Sequence, residues 1–310
     1  MSTRIKKKGQ KHMENKELFN RLLIILDEFD RVCKAHNLNY YILGGTLLGA
    51  VRHSGFIPWD DDIDLVMLRE DYDKLLKISN TAFSYPFFLQ TPATDPGYHK
   101  GLIKIRDNRT TEIPYGDAGF NYNHGIFIDV FPIDAIPSDK DLFRKQVKQL
   151  KTLFKLLHFT GRVFGGVGTK GYSNKNRILY YILLPLCKLR IITPSKLFKK
   201  LNNVASMYEG DKTEKIGLLT FDPDNTRFIN FRDDYADTVY LPFEGRLLPA
   251  PVNYDRILAT SYGDYMKPMK QKSEHGDTFV DTKTSYKDFI SANKELLDET
   301  FDRFLLDLGK

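Results

Sequence analysis

Two carboxylates one residue apart, Asp62 and Asp64, follow the run Trp59-Asp60-Asp61 and lead into the apolar stretch Leu65-Val66-Met67-Leu68. On an extended strand, residues two apart project to the same face, so these carboxylates would lie side by side. Their mutual repulsion calls for a cation. Hard oxygen ligands suit Mg²⁺ or Mn²⁺, which keeps part of its water shell and bridges to phosphate oxygens. Ahead of the acids stands Gly44-Gly45-Thr46-Leu47-Leu48-Gly49. Without Cβ atoms this backbone can approach a diphosphate closely, and a helix opening at Thr46 presents free N–H groups to it. Singly, a glycine pair is an ordinary tight turn and an acidic run an ordinary loop. Their combination over 44–64 points to polyphosphate chemistry.

A third carboxylate strengthens that reading. Asp129 lies inside Gly125-Ile126-Phe127-Ile128-Asp129-Val130-Phe131, and a charge within an apolar strand is costly unless it is paired or bound to metal. Asp62, Asp64 and Asp129 are therefore the expected metal ligands. Asp134, just past Pro132, is the fallback, read first as a turn or cap residue. Lys104 and Arg106 share a face of Leu102-Ile103-Lys104-Ile105-Arg106, and Arg52 with His53 ends the glycine helix. These cations are candidates to grip phosphate, arginine as a bidentate fork and lysine as a point charge. For each taken singly a surface ion pair is the readier explanation; Arg52 and Arg106 are the two favoured for function.

The elements that must position these groups follow from periodicity. Apolar residues Leu18, Leu22, Ile25, Phe29 and Val32 recur at helical spacing over 14–34. A strand over 40–43 ends in the glycine pair, a short helix follows over 46–52, a strand over 62–68, and a helix over 69–78. Further strands are expected over 102–106, 125–131, 216–221, 228–231 and 246–248. Helices are expected over 139–159, 176–190, 195–209, 253–261 and 286–308. The sum is a mixed α+β sheet protein without internal repeats.

Composition and charge exclude several classes. With 310 residues and 42% apolar content, the chain can bury a sizeable core. Two cysteines, Cys33 and Cys187, exclude a disulfide framework and fit a reducing compartment. The basic stretch 1–12 has no apolar run behind it to form a signal peptide, and the apolar run 178–187 is half a membrane span. Over 142–200 there are fourteen Lys or Arg and no Asp or Glu, so with a net charge of +6 the remainder carries −8. This block is a solvated face or a docking face for an anionic surface. It lacks a nucleic-acid reading motif, and no nucleic-acid partner is expected.

Four runs in order, Gly44-Gly45-Thr46-Leu47-Leu48-Gly49, Trp59-Asp60-Asp61-Asp62-Ile63-Asp64, Ile128-Asp129-Val130-Phe131-Pro132-Ile133-Asp134 and Tyr262-Gly263-Asp264-Tyr265-Met266, resemble the LicD family of phosphocholine transferases, to which fukutin-like proteins are related. The resemblance implies a nucleotidyltransferase-like core in which Asp62, Asp64 and Asp129 take the three carboxylate positions. The chain is expected to divide into a disordered basic tail (1–12), a catalytic domain (13–275) with a basic helical insertion at about 140–210, and a helical extension (276–310). It also implies a metal-dependent enzyme that moves a phosphoalcohol, phosphocholine first, from a CDP-alcohol to a hydroxyl of a glycan and releases CMP. The donor would be CDP-choline, CDP-ribitol or CDP-glycerol, and the acceptor a glycan or lipid-linked glycan of teichoic acid, capsule or lipopolysaccharide assembly.

Gly44, Gly45, Thr46, Arg52, Lys104 and Arg106 would bind the donor phosphates, and Asp129 would take the acceptor proton. Choline calls for aromatic faces, for which Trp59, Phe243, Tyr262 and Tyr265 are available; Lys272 and His275 fall where the family has basic and histidine features. The protein is expected to be cytoplasmic and peripheral at the inner membrane face, with residues 180–186 entering the interface and the basic block drawn to anionic headgroups. Two competing readings are nucleoside monophosphate transfer on the same fold and a catalytically silent membrane-binding protein.

Overall fold

The computed structural model describes residues 8–211, 213–267 and 277–308. Helix α1 (Lys8–Ala35) starts inside the segment read as a basic tail, of which only 1–7 lie outside the described residues. Leu18, Leu22, Ile25, Leu26 and Phe29 of α1 are buried at three- and four-residue spacing, forming the apolar stripe that seats it on the sheet.

The chain continues through β1 (Tyr41–Ile42), α2 (Gly44–His53), β2 (Asp64–Leu68), α3 (Arg69–Lys77), β3 (Phe87–Gln90), β4 (Ile103–Asp107), β5 (Thr111–Pro114) and β6 (Ile126–Ile136). The main sheet has the order β1-β2-β6-β4-β3. Only the β2–β6 pair in that path is parallel, which gives the mixed sheet expected. Helix α1 packs across β4 and β6, and on that face Arg21 approaches Asp107 at 3.7 Å. Alternation along β4 turns Lys104 and Arg106 to the opposite face.

Three helices follow: α4 (Lys140–Phe164), α5 (Asn174–Lys188) and α6 (Pro194–Ala205). Asp139 caps α4 by accepting from the amides of Asp141 and Leu142, and Thr193 caps α6 with Pro194 in its first turn. Leu150, Leu153 and Leu157 of α4 close a small core with Leu201 and Ala205 of α6. Helix α6 is shorter than expected.

Beyond these helices come β7 (Lys215–Gly217), β8 (Ile229–Phe231), β9 (Thr238–Phe243), β10 (Arg246–Pro251) and α7 (Tyr254–Tyr262). Strand β7 adds to the far end of β6 and β8 to β7, while β9 and β10 form a hairpin. The final segment, read as helical, opens with β11 (Thr278–Asp281), which pairs with β5 before α8 (Tyr286–Ala292) and α9 (Lys294–Leu308). Strands β3, β5, β9 and β11 were not expected.

Candidate active site

The glycine turn is built around one carboxylate. The amide of Leu43 donates to the carbonyl of Asp64 at 3.0 Å, and the amide of Asp64 donates to Thr46 Oγ1 at 2.9 Å. Both backbone groups of Asp64 are thus tied to the entry of α2. Gly44 has φ +57°, and a Cβ there would stand 3.0 Å from Asp64 Oδ2. A Cβ at Gly45 would stand 2.1 Å from Asp60 Oδ2. The two glycines therefore leave the space in which the carboxylates of Asp64 and Asp60 sit at the helix N-terminus, where partial positive charge offsets theirs.

Parallel pairing then places the next acid. Asp64 of β2 is the register partner of Asp129 of β6, so their side chains leave one face of neighbouring strands, about 4.8 Å apart along the hydrogen-bonding direction. On the other side of Asp129, the register partner is Lys104 of β4. Lys104 Nζ lies 2.7 Å from Asp129 Oδ1 and 3.1 Å from Oδ2. The ammonium also sits 3.2 Å above the Phe127 ring centroid. Burial pulls the Lys104 pKa down from its ordinary value, against the opposing pull of Asp129 and with the help of Arg106. The approach to Asp129 Oδ1 is close but poorly directed, and this buried oxygen has no hydrogen bond of good geometry among the described residues.

Asp62 stands two residues ahead of Asp64, just outside β2. Its carboxylate lies within 4.8 Å of those of Asp60 and Asp61. Tyr262, at the end of α7, closes the site: its hydroxyl is 3.8 Å from the position a Gly44 Cβ would take. Burial first, then the charges of Asp64, Asp60 and Asp62, raise its pKa. Asp60 and Tyr262 are thus site residues that spacing alone did not select, although Tyr262 was noted as an aromatic face.

Arg106 donates to Gln90 Oε1 and to the Gly125 carbonyl, both at 2.5 Å, and its guanidinium lies 4.7 Å from the Phe127 centroid. It is 3% exposed, so in this structure its fork braces strands. Arg52 donates to the Tyr265 carbonyl at 3.0 Å, and its Nε has no hydrogen-bond partner among the described residues. His53 is exposed. Asp134 is neither a turn residue nor near Asp129: it is wholly buried in β6 and takes both forks of Arg69, at 2.6 and 2.8 Å. Phe243 is core, 4.9 Å from Phe56 and fully buried, which removes it as a choline face. Lys272 and His275 lie outside the described residues.

Residues 37–153 match the family described as LicD/FKTN/FKRP, nucleotidyltransferase domain. The chain carries a LicD-family domain. It holds β1 to β6 with Gly44, Gly45, Asp60, Asp62, Asp64, Lys104 and Asp129. Beyond the LicD domain, the similarity extends over most of the chain. The lipopolysaccharide cholinephosphotransferase LicD of Haemophilus influenzae is 29% identical over 257 residues, 82% of this chain and 92% of that protein. The human ribitol 5-phosphate transferase FKRP is 50% identical over 40 residues, 13% of this chain and 8% of that protein. An uncharacterized Rickettsia prowazekii protein is 54% identical over 43 residues, 14% of this chain and 16% of that protein.

Proposed function

We propose that this protein is a phosphotransferase of LicD type that moves a phosphoalcohol, phosphocholine first, from a CDP-alcohol to a hydroxyl of a cell-surface glycan precursor and releases CMP. The observation that carries this reading is the register pair Asp64–Asp129 set against the Gly44-Gly45 turn. The extended similarity to a cholinephosphotransferase whose name specifies lipopolysaccharide supports the alcohol and the acceptor class.

The residues present fit a divalent cation. Asp62, Asp64 and Asp129 would hold it, with Asp60 beside them. The poorly directed Asp129 Oδ1 and the carboxylates of Asp60, Asp61 and Asp62, which lie within 4.8 Å of one another, supply hard oxygen donors of the kind such a cation takes. When bound, Mg²⁺ or Mn²⁺ would neutralise diphosphate oxygens and stabilise charge on departing CMP.

The chain's own groups do the rest. The N-terminal turn of α2, from Gly45 and Thr46, faces donor phosphate with backbone N–H groups. Arg52, with its unused Nε, adds a cation at the other end of the same helix. The acceptor oxygen forms its bond to the phosphorus bearing the alcohol while the bond from that phosphorus to the CMP oxygen breaks. Asp129 takes the hydroxyl proton, and Lys104 holds its carboxylate in position and offsets its charge.

The reading includes work at an anionic membrane. No described helix is long and apolar enough to cross a bilayer. Helix α5 instead turns apolar residues outward: Ile178, Tyr181 and Ile182 are each more than 60% exposed, and Leu189 just beyond the helix is 71% exposed. These positions recur on one helical face. Lys175, Arg177, Lys188 and Arg190 flank them and are exposed. Such a helix lies in the headgroup boundary of an anionic leaflet. Tyr180, expected to insert, is buried on the inner side of α5, and Ile178 takes its place.

The test is incubation of purified protein with CDP-choline, CDP-ribitol and CDP-glycerol separately, with Mg²⁺ or Mn²⁺ and a membrane-derived glycan-lipid fraction. CMP from one donor names the alcohol. Pyrophosphate released from a nucleoside triphosphate would instead establish nucleoside monophosphate transfer, and failure to bind any donor would leave the silent membrane-binding protein.

A further inference from the structure

A cleft of about 1230 Å³ opens between the approach to β4, the end of α4 and helix α9, away from the glycine turn. Aromatic groups dominate its walls: Tyr115 packs on Phe279 at 4.7 Å, and His99 faces His158 at 5.0 Å. Two hydroxyls in its lining, Thr220 Oγ1 and Tyr172 Oη, are buried and have no hydrogen-bond partner among the described residues. Thr220 is 1% exposed. Buried hydroxyls are satisfied in the great majority of cases, so two left open in one cleft point to a ligand that completes them.

Lys100, Arg162, Lys170 and Arg303 line the cleft with Asp117, Asp277 and Asp307, so its surplus is only one positive charge, and most of these groups already have partners in the protein. Lys100 lies 3.8 Å from Asp117, and the Arg162 guanidinium donates to the carbonyls of Gly168 and Lys170. Burial lowers the pKa of His99 to about 3 and of His158 to about 4, so both imidazoles are neutral donors and acceptors near pH 7. Little remains there to neutralise a diphosphate. Apolar ring faces with neutral hydrogen-bonding groups between them suit a sugar, which presents apolar faces and hydroxyl edges.

The cleft also adjoins the reaction centre. Leu102, the residue just before β4, lines it, and Lys104 stands two residues further along the chain, about 7 Å away. Phe131, two residues beyond Asp129 on β6, meets the cleft residue Phe221 edge-on at 5.2 Å.

We infer that this cleft binds a neutral sugar of the acceptor, holding it through Thr220, Tyr172 and the two imidazoles beside the Lys104–Asp129 pair. The inference rests on the glycan acceptor of the proposed function but concerns a separate site. It is tested with full-length protein carrying ¹⁵N-labelled histidine, by titrating glucose, galactose, N-acetylglucosamine, N-acetylgalactosamine and their disaccharides to millimolar concentration, with CDP in parallel. Shifts of the His99 and His158 ring signals by at least one sugar, with affinity about tenfold weaker in Thr220→Val, are the expected result. Shifts produced by CDP and not by sugars, or by none of these probes, would overturn it. CMP release from donor to water, measured on the same sample without acceptor, reports the catalytic reading separately.

Discussion

Asp64 and Asp129, 65 positions apart in the chain, are direct partners across the parallel β2–β6 pair, and Lys104 Nζ lies 2.7 Å from the second of them. The two acids thus share a face but not an electrostatic environment. Asp64 faces the glycine turn and Tyr262, whereas Asp129 has a buried ammonium for a neighbour.

That asymmetry separates two substitutions. Asp64→Asn should abolish turnover, by a factor of about a thousand or more, while leaving folding stability unchanged or slightly raised, because it removes one member of a repelling set. Asp129→Asn should abolish turnover and also destabilise the fold by about 3 kcal/mol, because it leaves Lys104 buried without its counter-charge. Urea unfolding of both variants beside a turnover assay checks the pair; equal stability losses would contradict the assignment.

The glycine turn gives a steric prediction. In Gly45→Ala the new Cβ would meet Asp60 Oδ2 at 2.1 Å, and that carboxylate, at the end of its side chain, must swing away. The fold should lose less than about 1 kcal/mol, whereas activity should fall at least tenfold through displacement of Asp60. In an Asp60→Ala background the same substitution should have little further effect on activity. Additive losses in that double-mutant cycle would show that Gly45 acts by another route.

The gathering of Asp64 and Asp129 near the glycine turn was legible in the sequence because carboxylates at strand spacing behind a glycine pair have few structural uses. Their exact partners were not. Which residue faces Asp129 depends on strand register, and register between segments far apart leaves no local mark, so Lys104 read as a phosphate ligand and not as the counter-charge of an acid. Asp134 read as a turn residue because Pro132 precedes it, yet β6 runs through both to Ile136 and buries Asp134 against Arg69. The hairpin of β9 and β10 was hidden by Pro242, Pro249 and Pro251, which lower strand propensity and are tolerated in a two-stranded ribbon, where each strand has one edge without a partner strand. The basic helices were legible from periodicity, but which apolar residues of α5 face outward became known only from its packing on α4.

Membrane binding should depend on that outward face. Ile178→Asp combined with Ile182→Asp should abolish co-flotation with vesicles containing anionic lipid and leave the fold intact, since both side chains are exposed. Wild-type protein should float with anionic and not with zwitterionic vesicles, and raised salt should weaken the association. Equal flotation of the double variant would contradict the role given to α5.

Stability should also fall on mild acidification. Burial, with the help of the neighbouring Lys100 and Arg106 charges respectively, lowers the pKa of His99 to about 3 and of His124 to about 4, below the value of about 6.5 in an unfolded chain. The unfolded chain therefore takes up these protons first. Their contribution is complete above about pH 6.5 and is lost as pH falls, by up to about 1.4 kcal/mol per pH unit for each imidazole. Urea midpoints between about pH 7 and pH 5 should show the decline, and His124→Asn should flatten it; an unchanged slope would contradict the burial argument.

In the proposed reaction, Asp64 and Asp129 hold a divalent cation that acts on the diphosphate of a CDP-alcohol. The most direct test is CMP release from CDP-choline, CDP-ribitol and CDP-glycerol in the presence of glycan-lipid acceptor, with Mg²⁺ or Mn²⁺, after chelation, and in Asp64→Asn. CMP is expected from at least one donor, lost on chelation, restored by metal, and absent in the variant. CMP release that persists in Asp64→Asn or survives chelation would contradict it.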